Sequence, residues 1–124
     1  MEEKDRLTEV VIGAAIEVHR IMGPGLLESV YQRCMEEELR LRNCPVDPQA
    51  RIPLRYKGVA LGDDLVMDPY FPDRLVVELK AVDNLVPVNE AQLLTALRLS
   101  KTRVGLLINF NVPVLVNGLT RMVL

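Results

Sequence analysis

The spacing of apolar residues changes period part-way along the chain, and this change constrains the fold more than any other feature. Residues 7–22 and 26–41 carry apolar side chains at the three- and four-residue spacing of amphipathic helices, with the helix breaker GPG between them. From residue 52 onward apolar and polar side chains alternate, as they do in strands with one buried face. A further helical segment covers residues 87–100. The predicted order is ααβββαβββ, an α/β (α+β) fold in which helices flank a mixed central sheet.

Turn signals separate the predicted strands. The strands before the last helix are predicted over residues 52–56, 59–61, 65–71 and 75–82. After that helix the sequence predicts a buried strand at 104–110 and a terminal hairpin, with strands at 114–116 and 119–123 around an Asn-Gly turn.

Length and charge exclude several classes of protein. A chain of 124 residues with 49% hydrophobic residues predicts a single globular domain over residues 1–124. The 15 Lys and Arg residues face 17 Asp and Glu residues, which leaves a formal net charge of -2. Such a chain has no bulk attraction to nucleic acid or to an anionic membrane. Nucleic-acid binding therefore requires a local basic patch.

The distribution of apolar and cysteine residues predicts a reducing, membrane-free environment. The first ten residues are mostly charged, and no apolar run approaches the 18 or so residues that a membrane span needs. We therefore expect a cytoplasmic protein. Cys34 and Cys44 are too few for a disulfide framework and lack the spacing of a zinc site. We expect two reduced thiols, with Cys34 at a helix interface.

One predicted strand, residues 75–82, carries two charges among apolar side chains. Alternation puts Glu78 and Lys80 on the same face of that strand. They could form a pair on a solvent-exposed sheet face. Alternatively, Asp68 on the preceding strand could lie beside Glu78 across the intervening turn. Two converging carboxylates would hold Mg²⁺, with Lys80 close to the attacking water or the phosphate.

The same residues carry a family resemblance. Asp68 to Lys80 forms a D-x9-E-x-K pattern ending in VVELK, which resembles the core of the PD-(D/E)XK nuclease superfamily. Residues 16–32, 76–94 and 104–115 are similar to segments of the small bacterial GxxExxY proteins. The resemblance implies a restriction-endonuclease-like fold and metal-dependent hydrolysis of nucleic-acid phosphodiester bonds, with DNA favoured over RNA as the substrate. It implies Mg²⁺ as the cofactor, with Mn²⁺ as a substitute.

The resemblance also assigns roles to residues. The implied catalytic residues are Glu28, Asp68, Glu78, Lys80 and Gln92. The implied metal ligands are Asp68, Glu78, Glu28 and the backbone carbonyl of Leu79. Tyr31 of the namesake motif is expected in the core, with its hydroxyl aimed at the site.

Two of these residues also have purely structural explanations. Glu28 falls in the first turn of a helix, where the macrodipole favours a carboxylate whatever the function. Gln92 could form a capping box with Asn89, unless the helix already begins near Pro87.

The segment around Asp68 leaves its role open. Asp63 and Asp64 are rivals for the ligand position, although ungapped counting from the neighbouring segments favours Asp68. Pro69 and Pro72 cannot donate to a sheet ladder, so this strand is expected to be short, bulged or at an edge.

Partners follow from the same set of features. The best basic patch for phosphate is a cluster at the end of the last helix: Arg98, Lys101 and Arg103. A homodimer is expected because one small domain offers little surface to grip a duplex.

The alternative function is a non-catalytic module that keeps the nuclease-like fold to bind nucleic acid or protein. The negative net charge and the lack of a separate DNA-binding domain favour that alternative.

Overall fold

The three-dimensional structure is a computed structural model, and it describes residues 3–46, 50–67 and 69–124, with side chains from Arg6 onward. Its helices are α1 (Glu3–Met22), α2 (Glu28–Leu41), α3 (Pro87–Ser100) and a short 3₁₀ helix (Leu115–Gly118). Its strands are β1 (Ala50–Tyr56), β2 (Val59–Met67), β3 (Tyr70–Phe71), β4 (Leu75–Lys80), β5 (Val104–Asn109) and β6 (Leu119–Val123). The predicted α+β class with helices on a mixed sheet is confirmed.

Four strands form the central sheet in the order β3-β4-β5-β6. β4 and β5 are parallel, and the other neighbouring pairs are antiparallel. The parallel pair requires a crossover, which α3 supplies. Among the strands that the structure describes, β1 and β2 pair only with each other and form a separate two-stranded ribbon.

The helices cover both faces of the sheet because β4 and β5 are apolar on both faces. Leu75 and Val77 of β4 pack in one core with buried residues of α1 and α2. Val76 packs in a second core with Leu93 and Leu97 of α3. The sheet is therefore the middle layer of a three-layer sandwich, as expected for strands that carry a parallel pair.

The apolar side chains whose spacing predicts α2 form the face of that helix that is buried in the fold. Tyr31, Met35 and Leu39 recur every four residues and are all fully buried. The ring of Tyr31 stacks on that of Phe110, which directly follows β5, with centroids 4.5 Å apart. This contact fixes α2 against the end of the sheet's central strand.

The predicted strand over residues 65–71 is not continuous. β2 runs from Val59 to Met67, and β3 contains only Tyr70 and Phe71. β3 is also an edge strand of the central sheet. The expectation that Pro69 and Pro72 make this strand short or place it at an edge is confirmed, because neither residue can donate a ladder hydrogen bond.

The predicted terminal hairpin is wrong. Residues 115–118 form the 3₁₀ helix, and β6 pairs with β5 instead of with a strand at 114–116. Gly118 is required for a close approach, because a Cβ there would lie 2.1 Å from the carbonyl oxygen of Asn109. Of the described strands, two therefore follow α3, in contrast to the three predicted there.

The two cysteines are free, as predicted, and Cys34 is partly buried on α2 against the core shared with α1. Burial raises the pKa of the Cys44 thiol. Among the described helices, none has the length and apolar character needed to cross a bilayer.

Candidate active site

Glu78 and Lys80 lie on the face of β4 that is turned toward α3. Both side chains are half-buried. Together with Gln92 of α3 they line a cavity of about 480 Å³ between the sheet and the helix. The structure therefore brings together three of the residues singled out in the sequence. The half-buried position of the pair differs from that expected of a fully solvated surface pair.

Glu78 also borders a second cavity, beside the β3–β4 pairing. The backbone N–H of Val77 donates to the carbonyl of Pro69 at 3.2 Å, next to the β3–β4 pairing. One residue further along β4, Glu78 borders this cavity of about 190 Å³ at the sheet edge. The other residues that line it are Glu28, Gln32, Val66 and Leu79. The Glu78 carboxylate is thus at the junction of the two cavities.

The surroundings of Glu78 change its acidity. Burial raises the pKa of its carboxyl above the ordinary value, and the nearby carboxylate of Glu28 raises it further. The positive charge of Lys80 acts in the opposite direction and lowers this pKa. A half-buried carboxylate that faces a second carboxylate is a site that a cation would stabilise.

Glu28 is the first residue of α2, and the turn before the helix sets its position. The Tyr31 hydroxyl donates to the carbonyl of Gly23 at 2.6 Å and accepts from the N–H of Leu26 at 3.1 Å. Tyr31 is therefore buried as predicted, but its hydroxyl binds this turn instead of pointing into the site. Gly25 adopts a φ of 97°, which an L side chain rarely does, and so the turn requires its glycine.

The predicted ligand Asp68 lies outside the described residues. Its rival Asp64 is exposed on β2 and lines neither cavity, and Asp63 is likewise exposed. Within residues 3–46, 50–67 and 69–124 there is no group of three or more His, Cys, Asp or Glu side chains that could hold a metal ion. Glu28 and Glu78 are the carboxylates that this part of the chain contributes to the smaller cavity.

Gln92 does not cap its helix. α3 begins at Pro87, and the side-chain oxygen of Asn89 accepts from the N–H of Val86 at 2.8 Å. The capping explanation for Gln92 is therefore wrong, because Asn89 caps the helix from its third position. The Gln92 side chain is exposed in the cavity that it shares with Glu78 and Lys80.

The basic cluster lies away from these residues. Arg98, Lys101 and Arg103 are all exposed. They surround the end of α3, which leads into the start of β5, and the start of β5 pairs with the first half of β4. Lys80 pairs with the last residue of β5. The cluster and the candidate site therefore lie at opposite ends of the two central strands.

Sequence reasoning missed Asn109, a buried residue that fixes the end of β4. It is 2% exposed and lies opposite Lys80 in the parallel pair. Its amide nitrogen donates to the Val82 carbonyl at 2.9 Å, and its side-chain oxygen accepts from the Val82 N–H at 3.1 Å. The chain beyond Lys80 is held in this way, and β4 ends at residue 80 instead of 82. The sequence signal that could have pointed to Asn109 is its amide side chain at the end of an otherwise apolar strand, VGLLIN.

We expect Asn109→Ala to lower the free energy of unfolding by about 1–3 kcal/mol, because the Val82 backbone groups lose a buried partner. Asn84→Ala, an exposed change in the same loop, should stay within about 0.5 kcal/mol of the wild type. Urea unfolding of the three proteins measures the difference. Equal stability of the two variants would show that the amide contributes nothing to the fold.

The described fold and site define a mixed α+β protein whose central strand presents a carboxylate and a lysine to a cavity. The chain belongs to the PD-(D/E)XK nuclease superfamily, since the family model of that description matches residues 5–122. Nucleases of this superfamily generally use divalent metal ions. A search of curated proteins and a search of solved structures gave no significant match.

Proposed function

We propose that this chain is a metal-dependent nuclease that hydrolyses phosphodiester bonds, with DNA favoured over RNA. One observation carries the proposal. A half-buried carboxylate, Glu78, lies at the junction of two cavities with Glu28 on one side and Lys80 and Gln92 on the other. Membership of the nuclease superfamily supports the proposal. The narrower assignment to the GxxExxY proteins is itself part of the proposal.

Glu28 and Glu78, the carboxylates of the smaller cavity, are candidate ligands for a divalent ion. Glu78 has a raised pKa through burial and the Glu28 charge, so a cation that neutralises both carboxylates would be favourable. Oxygen ligands of this kind suit Mg²⁺ and its substitute Mn²⁺. We propose Glu78, Glu28, Asp68 and the Leu79 carbonyl as the ligands. A bound ion would supply an acidified water and neutralise charge that develops on the phosphate.

Lys80 and Gln92 are proposed to act on the reacting groups. The Lys80 ammonium is half-buried, so its charge is screened less than that of a surface lysine. It orients or deprotonates the attacking water and stabilises negative charge in the transition state. Gln92 orients these groups from α3 or contacts the substrate backbone.

The remaining expectations are part of the proposal. We propose nucleic acid as the partner, one domain over residues 1–124, a homodimer and a cytoplasmic location. The match over residues 5–122 supports the single domain. The contribution of Arg98, Lys101 and Arg103 to phosphate binding stays a prediction.

A cleavage panel tests the proposal. Single-stranded, double-stranded and junctional DNA and RNA are incubated with the protein in millimolar Mn²⁺, and the melting temperature is measured with and without the ion. We expect cleavage of at least one substrate and a higher melting temperature with Mn²⁺. Neither effect in any arm would favour the non-catalytic binding module.

A further inference from the structure

The two-stranded ribbon packs one face against the core near Ala50 and Met67 and exposes two arginines of β1. Side chains of β1 alternate, so Arg51 and Arg55 share its exposed face. Ile52, on the opposite face, packs together with Leu65 against the core under α3. The packed face anchors the ribbon to the rest of the fold and leaves the arginine face in solvent.

The arginine face leads directly to the candidate site. Arg51 pairs with Val66 across the ribbon, and paired residues lie on the same face. Val66 itself lines the smaller cavity together with Glu28 and Glu78. A ligand that lies along the arginine face would therefore reach the carboxylates at the sheet edge.

The two guanidinium groups are available to a ligand. Neither Arg51 nor Arg55 forms an ion pair with a described residue. Within the part of the chain that the structure describes, Arg55 donates one long hydrogen bond, from Nη1 to the Gly58 carbonyl at 3.3 Å. Lys57 adds a further exposed cation at the turn between the strands. Asp64 opposes them on this face, since it pairs with Pro53 between the two arginines.

The spacing of the arginines suits a polyanionic chain. Arg55 lies four positions after Arg51 on β1, which is ~13 Å at about 3.3 Å per residue. One strand of a DNA duplex carries a phosphate about every 3.4 Å along the axis, so this distance spans about four phosphates. The basic cluster at the end of α3 has no such connection with the cavities, because it lies at the other end of β4.

We propose that the arginine face of the ribbon binds the sugar-phosphate backbone and directs the strand to the cavity between Glu28 and Glu78. This inference rests on the proposed nuclease function and names the surface that holds its substrate. The contacts are to phosphate, so they position the nucleic acid without reading its sequence.

The salt dependence of binding tests the proposal. Affinity for a labelled DNA duplex, and for an RNA duplex in parallel, is measured by fluorescence anisotropy in Ca²⁺ between about 50 and 200 mM salt. Losing two phosphate contacts in Arg51→Ala/Arg55→Ala should reduce the slope of log K against log salt by about 1.8 for the DNA duplex. Arg6→Ala/Arg33→Ala removes the same charge from exposed positions on α1 and α2 and should leave the slope unchanged. The rival cluster is tested by Arg98→Ala/Arg103→Ala.

A second variant is expected to bind nucleic acid more tightly than the wild type. A misfolded protein would bind less tightly, so a gain in affinity cannot result from loss of folding. Asp64→Asn removes the carboxylate between the arginines and should raise affinity by about two- to five-fold at low salt. Asp73→Asn makes the same charge change in the β3–β4 turn, where a φ of 62° suits asparagine, and should have no effect.

The outcomes separate this inference from the proposed function. A reduced slope for the ribbon variant supports the inference whatever the helix-end variant does. If the wild type binds and cleaves but the ribbon variant keeps the wild-type slope, the inference is wrong and the nuclease proposal stands. A wild type that neither binds nor cleaves any nucleic acid overturns both.

Discussion

Replacing Lys80 with methionine is expected to lower the rate of nucleic-acid cleavage by about 10²–10³-fold, the usual effect of removing one pre-aligned group that stabilises transition-state charge. Lys80 is half-buried beside Glu78 and faces the cavity that Gln92 borders. Methionine preserves an unbranched side chain but cannot donate a proton or carry charge. Single-turnover cleavage with excess enzyme measures the effect on the chemical step.

Folding and metal binding are the controls for this variant. Lys80→Met should melt close to the wild-type temperature, because removing the half-buried ammonium relieves its desolvation while the Glu78 carboxylate loses a favourable charge. It should also keep the stabilisation by Mn²⁺, since the carboxylates are unchanged. Full cleavage activity in the variant would remove Lys80 from the proposed mechanism. A large loss of stability would instead assign it a structural role.

Replacing Glu78 with glutamine is expected to abolish both cleavage and stabilisation by Mn²⁺. An ion that binds only the folded state at 100 times its dissociation constant adds about 2.7 kcal/mol to the wild type. The neutral amide is a poorer ligand for a hard cation, so the variant should show almost none of this increase. Glu9→Gln, an exposed change on α1, is the matched control and should respond to Mn²⁺ as the wild type does.

The raised pKa of Glu78 gives the same variant a pH signature in the absence of metal. Because the folded protein holds this proton more tightly than the unfolded chain, wild-type stability falls as pH rises from the ordinary carboxyl pKa of 4.5 through the raised value. The amide does not titrate. Glu78→Gln should therefore be the more stable protein at neutral pH, and the difference should disappear below about pH 4. Melting curves from acid to neutral pH measure it, and a constant difference would contradict the cause given for the shift.

The elements with strong periodicity could be predicted from the sequence. α3 has the predicted bounds, and α1 and α2 end at the predicted residues. The apolar period of α1 is stopped by the Gly-Pro-Gly segment that follows it, and that of α2 by Asn-Cys-Pro. β4 and β5 were also predicted, since their apolar runs need two covered faces. The charged pair Glu78 and Lys80 was correctly placed on one strand.

The features that could not be predicted share a physical cause. The residue types near a position in the sequence do not indicate which distant residues pack or pair with it in the fold. The Asn-Gly pair before β6 fits a hairpin turn, but Gly118 is needed where the backbone approaches Asn109. Asn109 itself could be recognised as a clamp only once Val82 was placed beside it. The ribbon separates from the sheet because β2 pairs only with β1, which no pattern within either strand reveals. The role of Asp68 stays a prediction.

The Asn109 clamp has a consequence for hydrogen exchange. The Val82 amide lies in the loop between β4 and α3. Amide protons in loops ordinarily exchange with solvent quickly, through small local openings of the chain. Here its acceptor is a side chain that is 2% exposed, on the central strand of the sheet. Because β5 holds this acceptor in place, we expect the Val82 amide to exchange more slowly than other amides of the same loop. Slow exchange at Val82 would show that the start of the loop after the candidate site is coupled to the sheet through Asn109.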